Sequence, residues 1–171
     1  MDAGAPSRTA EYMALFRALE SARPRGRRLF EDRAASHFLR PRLRAVATAA
    51  RFAPAGRLVE AFIDRRWPGP RLSGVVRTRA IDDFVLDAAN AGCEQALLLG
   101  AGYDTRASRL PALASASVFE VDHPATQARK RRALRRVSAA NVRYVPVDFE
   151  RDSLVLPKAS VVPFTVYERA Y

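Results

Sequence analysis

The chain has 171 residues, 49% of them hydrophobic, enough for one buried core with an appendage. No apolar run is long enough to cross a bilayer, the first residues lack the basic-then-apolar order of a secretion signal, and a single cysteine, Cys93, excludes an internal disulfide and stands near no metal-ligand spacing. A soluble cytoplasmic protein with no membrane partner and no metal is expected. The net charge is +11, yet the basic residues are almost all arginine, with Lys130 and Lys158 the only lysines. The densest basic run, Arg129, Lys130, Arg131, Arg132, Arg135 and Arg136, lacks interleaved aromatics and reads as a solvated helix face rather than a nucleic-acid surface.

In chain order, Tyr12, Leu15, Phe16 and Leu19 recur at helical spacing and predict a helix from about Arg8 to Leu19. Pro24 and Gly26 break it. LFEDRAASHFL (29–39) reads as a second helix, 41–52 as a third, and Val59, Phe62 and Ile63 suggest a fourth. Pro68, Gly69 and Pro70 punctuate the chain. Ile81, Phe84, Val85 and Ala88 form another helical stripe, which Asn90 and Gly92 end. Residues 1–92 are thus a helical N-terminal region.

At Ala96 the texture changes. ALLLG (96–100) is a short unbroken apolar run, as expected of a strand buried on both faces. SVFEVD (117–122) and VRYVPVD (142–148) are the next strands, with helices over 105–113 and 124–137 between them. Strand–helix–strand–helix–strand predicts right-handed crossovers and a parallel sheet. Residues 93–171 are then the first half of an α/β, Rossmann-like domain.

Ligands of such sheets lie at the carboxyl ends of the strands. After the first strand come Gly100 and Gly102, whose backbone freedom allows a tight turn and close approach of a ligand. After the second stands Asp122, twenty residues beyond Gly102, where an acidic side chain can grip both hydroxyls of a ribose. Glu120 is its rival, and a helix N-cap by Asp122 or His123 is the structural alternative. After the third strand come Asp148 and Phe149, suited to an adenine amino group and ring nitrogen, or else to a solvated acidic loop with Glu150 and Asp152. Thr105 stands where a dinucleotide fingerprint needs glycine or alanine, which counts against a nicotinamide cofactor.

Together the strings SRTAEYMALFRALES, RRLFED, VVRTRAIDDFV, LLLGAGYDTRASRL, VFEVDHPATQARKRR and VRYVPVDFERDSL resemble the leucine carboxyl methyltransferase-like family, in particular its bacterial S-adenosyl-L-methionine-dependent branch. The resemblance implies a class I methyltransferase fold with an added helical N-terminal region. It also implies an S-adenosyl-L-methionine site formed by Arg77, Gly100, Gly102, Asp122, Asp148 and Phe149, with Arg77 pairing with the cofactor's methionine carboxylate and Arg17 assisting. Read without it, Arg77 is one more surface arginine, and Arg79 is close enough to be confused with it.

Two departures from the family pattern stand out. Arg33 occupies a position usually held by proline. After Leu154, VLPKASVVPFTVYERAY replaces a further helix and a strand ending in a Trp-Glu-Gly-Val-Thr-Met-Tyr-like motif. The chain is therefore expected to be a truncated portion, self-associating through an exposed sheet edge. The implied activity is methyl transfer to a carboxylate or hydroxyl oxygen of a small-molecule or protein substrate. An inactive cofactor-binding remnant and a basic interaction protein are the alternatives. No residue is assigned as catalytic.

Overall fold

The computed structural model describes residues 8–135, 137 and 141–152. They divide into two compact units, one of residues 8–84 and one from Val85 onward, so the division falls within a helix rather than after it.

The first unit is helical: α1 (Arg8–Ala22), α2 (Pro41–Ala49), α3 (Ala53–Arg66) and most of α4 (Pro70–Asn90). Along α1 the buried positions are Glu11, Ala14, Leu15, Phe16, Ala18, Leu19 and Glu20. Tyr12, expected on the inner stripe, is half-exposed; Glu11 turns inward instead and receives the Arg40 guanidinium at 2.8 Å.

Residues 29–39, expected to be helical, are not a continuous helix; only Ala35–Phe38 form a 3₁₀ turn. The reason lies in α1, whose side chains take up this segment's backbone donors. Glu20 accepts the Leu29 N–H at 2.7 Å and Ser21 Oγ accepts that of Asp32 at 2.7 Å. Asp32 in turn accepts the Ala35 N–H at 3.0 Å and the Arg17 guanidinium at 2.9 Å. A backbone bonded to α1 side chains cannot also close i→i−4 bonds, and Phe30, Phe38 and Leu39 are carried into the core as an extended strap.

The second unit holds the sheet: β1 (Gln95–Leu99), β2 (Ser117–Asp122) and β3 (Val142–Pro146), parallel and in the order β1-β2-β3. The register pairs Leu99 with Val121 and Asp122 with Pro146, so the three carboxyl ends lie together. Side-chain alternation sends Leu98 and Val118 to one face, against Ala107, Leu110 and Leu113 of the first crossover. Leu97, Phe119 and Val121 go to the other face with Val147.

The crossover expected as a helix over 105–113 is a single turn, α5 (Arg106–Arg109), followed by a 3₁₀ turn at Pro111–Leu113, because Pro111 cannot donate within a helix. The second crossover is α6 (Pro124–Ala133), begun by Pro124 in its first turn and capped by His123, whose Nδ1 accepts the Ala125 N–H at 3.2 Å. The segment after Leu154, in which the sequence departs from the family pattern, lies outside the described residues.

Candidate functional site

The residues after β1 turn sharply. Gly100 and Gly102 have φ of +61° and +51°, in the left-handed region that side chains disfavour, so both positions require glycine on backbone grounds. An added Cβ at Gly100 would meet nothing within 4 Å, so the turn stands open there.

Asp122, at the end of β2, closes the other side. Its Oδ2 accepts the Gly102 N–H at 2.5 Å and its Oδ1 accepts the His123 N–H at 2.6 Å. The carboxylate thus ties the glycine turn to the start of α6. A carboxylate offers about four acceptor directions, so two remain beyond these bonds, one on each oxygen, as a vicinal diol needs. The helix cap falls to His123, and at the start of α6 Asp122 meets the His123 N–H alone.

Glu120, the rival acid, is committed elsewhere. It is fully buried on the α6 side of the sheet and its Oε2 lies 2.5 Å from the equally buried Lys130 Nζ. Burial pushes the Glu120 carboxyl above its ordinary range; Lys130 opposes this, and the nearby Asp104 and Asp122 charges reinforce it. Lys130 therefore leaves the solvated face on which the sequence placed it, while Arg131, Arg132 and Arg135 are exposed. Its signal in the sequence is its type: a lysine among arginines, whose compact ammonium fits a buried site that a broad guanidinium would not. Gln127 carries no comparable signal in the sequence. Its Nε2 donates to the Glu120 carbonyl at 2.9 Å and the Val145 carbonyl at 2.8 Å, clasping β2 to β3 just below the strand ends.

After β3, Val147 donates to the Asp122 carbonyl at 3.0 Å, which fixes the start of the next loop. Asp148 folds that loop on itself: its Oδ1 accepts the Glu150 N–H at 3.1 Å, and its own N–H donates to Asp152 at 2.8 Å. Phe149 is half-exposed. Gly102 and Asp122 are thus joined by a direct bond, Gly100 lies in the same turn, and Asp148 and Phe149 follow the adjacent strand.

Arg77 belongs to the other unit, on α4, where it is exposed and forms no ion pair among the described residues. Its neighbour Arg79 is occupied, pairing with Asp83 at 2.7 Å and donating to the Leu29 carbonyl at 2.9 Å. Arg17 is likewise held by the buried Asp32.

This geometry suits a ligand bearing a ribose: an open, glycine-lined turn beside a carboxylate with acceptor capacity on both oxygens. A dinucleotide pyrophosphate would call for a long helix N-terminus after the glycine turn, and α5 is one turn long. Among the described residues no group of three or more His, Cys, Asp or Glu could hold a metal ion.

The family model for leucine carboxyl methyltransferase matches residues 10–157. Similar proteins named "Putative S-adenosyl-L-methionine-dependent methyltransferase" occur in mycobacteria. The one from Mycobacterium bovis (strain BCG / Pasteur 1173P2) is 44% identical over 94 residues, covering 52% of this chain and 30% of the relative. Those from Mycobacterium sp. (strain JLS) and Mycobacterium avium (strain 104) are each 48% identical over 79 residues, covering 44% of this chain and 26% and 25% of the relative. The matched region spans less than a third of each relative's length.

Proposed function

The chain belongs to the leucine carboxyl methyltransferase family, and from that premise we propose that it binds S-adenosyl-L-methionine at the carboxyl ends of β1, β2 and β3 and serves methyl transfer to a carboxylate or hydroxyl oxygen. The observation that carries this reading is the Asp122 carboxylate, bonded to the Gly102 N–H and keeping one acceptor direction on each oxygen for a ribose diol. The names of the mycobacterial relatives support the choice of cofactor.

In this reading Gly100 and Gly102 let the ligand approach the backbone, Asp122 holds the ribose, and Asp148 with the Phe149 N–H meets the adenine edge. Arg77, carried over from the family resemblance, pairs with the methionine carboxylate. Bound S-adenosyl-L-methionine supplies a methyl group made electrophilic by its sulfonium. The protein's part is to position and to exclude water. A carboxylate acceptor is already a nucleophile and needs no base, whereas a hydroxyl acceptor would; no residue is assigned that role. A cytoplasmic setting is part of the same reading.

Calorimetric titration with S-adenosyl-L-methionine, S-adenosylhomocysteine and NADH tests it. The two sulfur compounds are expected to bind and NADH is not. Preference for NADH would overturn the assignment. A radiolabelled methyl-transfer assay separates an active enzyme from a cofactor-binding remnant.

A further inference from the structure

The helix α3 carries its apolar residues on the wrong side for a globular core. It fully buries one residue, Ile63, whereas Leu58 and Phe62 are 72% and 67% exposed. Phe52 just before it is 69% exposed and Trp67 just after it 52%. At 3.6 residues per turn, Arg57, Leu58, Ala61, Phe62, Arg65 and Arg66 share the outward half of this helix, all of them exposed.

No acidic residue lies on that half. Both acids of α3, Glu60 and Asp64, turn toward Arg71, which holds Asp64 at 2.5 Å and Glu60 at 3.8 Å. Arg23 also reaches Glu60, at 3.5 Å. The outward face is left cationic and apolar together along a helix about 21 Å long, and two exposed aromatic residues, Phe52 and Trp67, flank the helix. The Arg66 guanidinium lies 4.9 Å from the Trp67 ring centre.

We propose that this face of α3 docks on an anionic phospholipid surface. Arginines paired with Trp, Phe and Leu on one helix are what an interfacial helix needs: the apolar groups enter the headgroup boundary while the cations meet lipid phosphates. Charge complementarity selects the partner, because Arg57, Arg65 and Arg66 flank the apolar residues with no carboxylate beside them and so favour an anionic surface over a neutral or basic one. The expectation of no membrane partner rests on the lack of a spanning run; among the described residues no helix is long and apolar enough to cross a membrane, and a surface contact requires none.

The chain's only tryptophan, Trp67, directly follows α3 and lies against Arg66 of this face, through which it reports on the face. Adding vesicles of phosphatidylglycerol and phosphatidylcholine to the 171-residue protein is expected to shift Trp67 emission to the blue. Brominated lipid should quench it, and vesicles of phosphatidylcholine alone should do neither. Leu58→Asp with Phe62→Asp, both at exposed positions, should weaken vesicle partitioning by more than about tenfold, and Arg65→Gln with Arg66→Gln should also weaken it. Arg25→Gln with Arg27→Gln, which removes the same charge from an exposed 3₁₀ turn, should change it by less than about threefold.

The proposal is overturned if Trp67 emission is already blue-shifted without lipid and does not respond, because protein then covers the face. It is also overturned if the Arg25/Arg27 variant loses as much binding as the α3 variants, or if polyglutamate shifts Trp67 as strongly as the vesicles do. Quenching in the unaltered protein needs no variant to fold, so its absence alone suffices.

Discussion

Asp122 has two duties, holding the Gly102 turn and, in the proposed function, holding a ribose. Asp122→Ala removes both. Losing bonds to a charged group costs about 1.5–3 kcal/mol, so affinity for S-adenosyl-L-methionine should fall roughly ten- to a hundredfold, and the melting temperature should fall with it. Glu120→Gln should lower stability while leaving cofactor affinity nearly unchanged, because Glu120 faces Lys130. Calorimetry and thermal melting on the same samples separate the two effects; a larger affinity loss from Glu120→Gln would show that the wrong acid was assigned. Lys130→Met leaves a buried carboxylate without its counter-ion, a change that typically costs about 3–5 kcal/mol. The Glu120 carboxyl already stands above its ordinary range through burial, and losing Lys130 removes the charge that holds it down. A group whose folded-state pKa is raised contributes most below its unfolded value, about 4.3 for Glu, and loses that contribution as pH rises through the folded value. The stability deficit of Lys130→Met should therefore shrink on acidification toward that range, as read from denaturant midpoints across pH. Adding Glu120→Gln should recover part of the loss at neutral pH.

The helices of the first unit meet at two glycines with opposite tolerance. A Cβ on Gly56 would stand 2.6 Å from the Ala50 carbonyl oxygen, a backbone atom at the end of α2 that cannot step aside cheaply. Gly56→Ala should thus destabilise by about 1–3 kcal/mol, despite the helix-propensity gain of about 1 kcal/mol. A Cβ on Gly74 meets the terminal methyl of Met13, also at 2.6 Å, but that group is the far end of a flexible side chain. Gly74→Ala should be neutral or mildly stabilising, and thermal melting of the pair checks the contrast. Legibility in the sequence divides at this same scale. β1 and β2 were readable because short apolar runs ending in glycine or aspartate have few alternatives. The 29–39 strap was misread because its backbone partners, Glu20, Ser21 and Asp32, are polar side chains on which hydrophobic periodicity is silent. In α3 the stripe of Val59, Phe62 and Ile63 was visible, but its direction was not: Phe62 points out and Ile63 in, and periodicity alone does not tell a core from a docking face.

Over the whole molecule the positive charge is unevenly shared. Residues 8–84 contain 17 arginines and 8 acidic residues, whereas residues 85–152 contain ten basic and eight acidic residues. The basic run on α6, which the sequence presented as the densest, is thus largely offset by carboxylates in its own unit. Arg42→Gln with Arg51→Gln, both at exposed positions of the first unit, should lower the salt needed to elute the protein from a cation-exchange resin more than Arg132→Gln with Arg135→Gln. Equal shifts would mean that retention follows total charge alone. The glycine turn and Asp122 were legible together because their spacing is fixed by the strand–turn–strand path between them. Lys130 and Gln127 were not, since their roles arise only when α6 is laid over β2. The clamp between Asp122 and Gly102 also bears on descent. In the proposed function, selection for a folded sheet and selection for a bound ligand fall on the same two oxygens. A lineage that ceased to use its ligand would keep this acid for the sake of the turn, and one that recruited another ribose-bearing ligand would inherit the grip ready-made. In that reading, drift at Asp122 is restrained twice over.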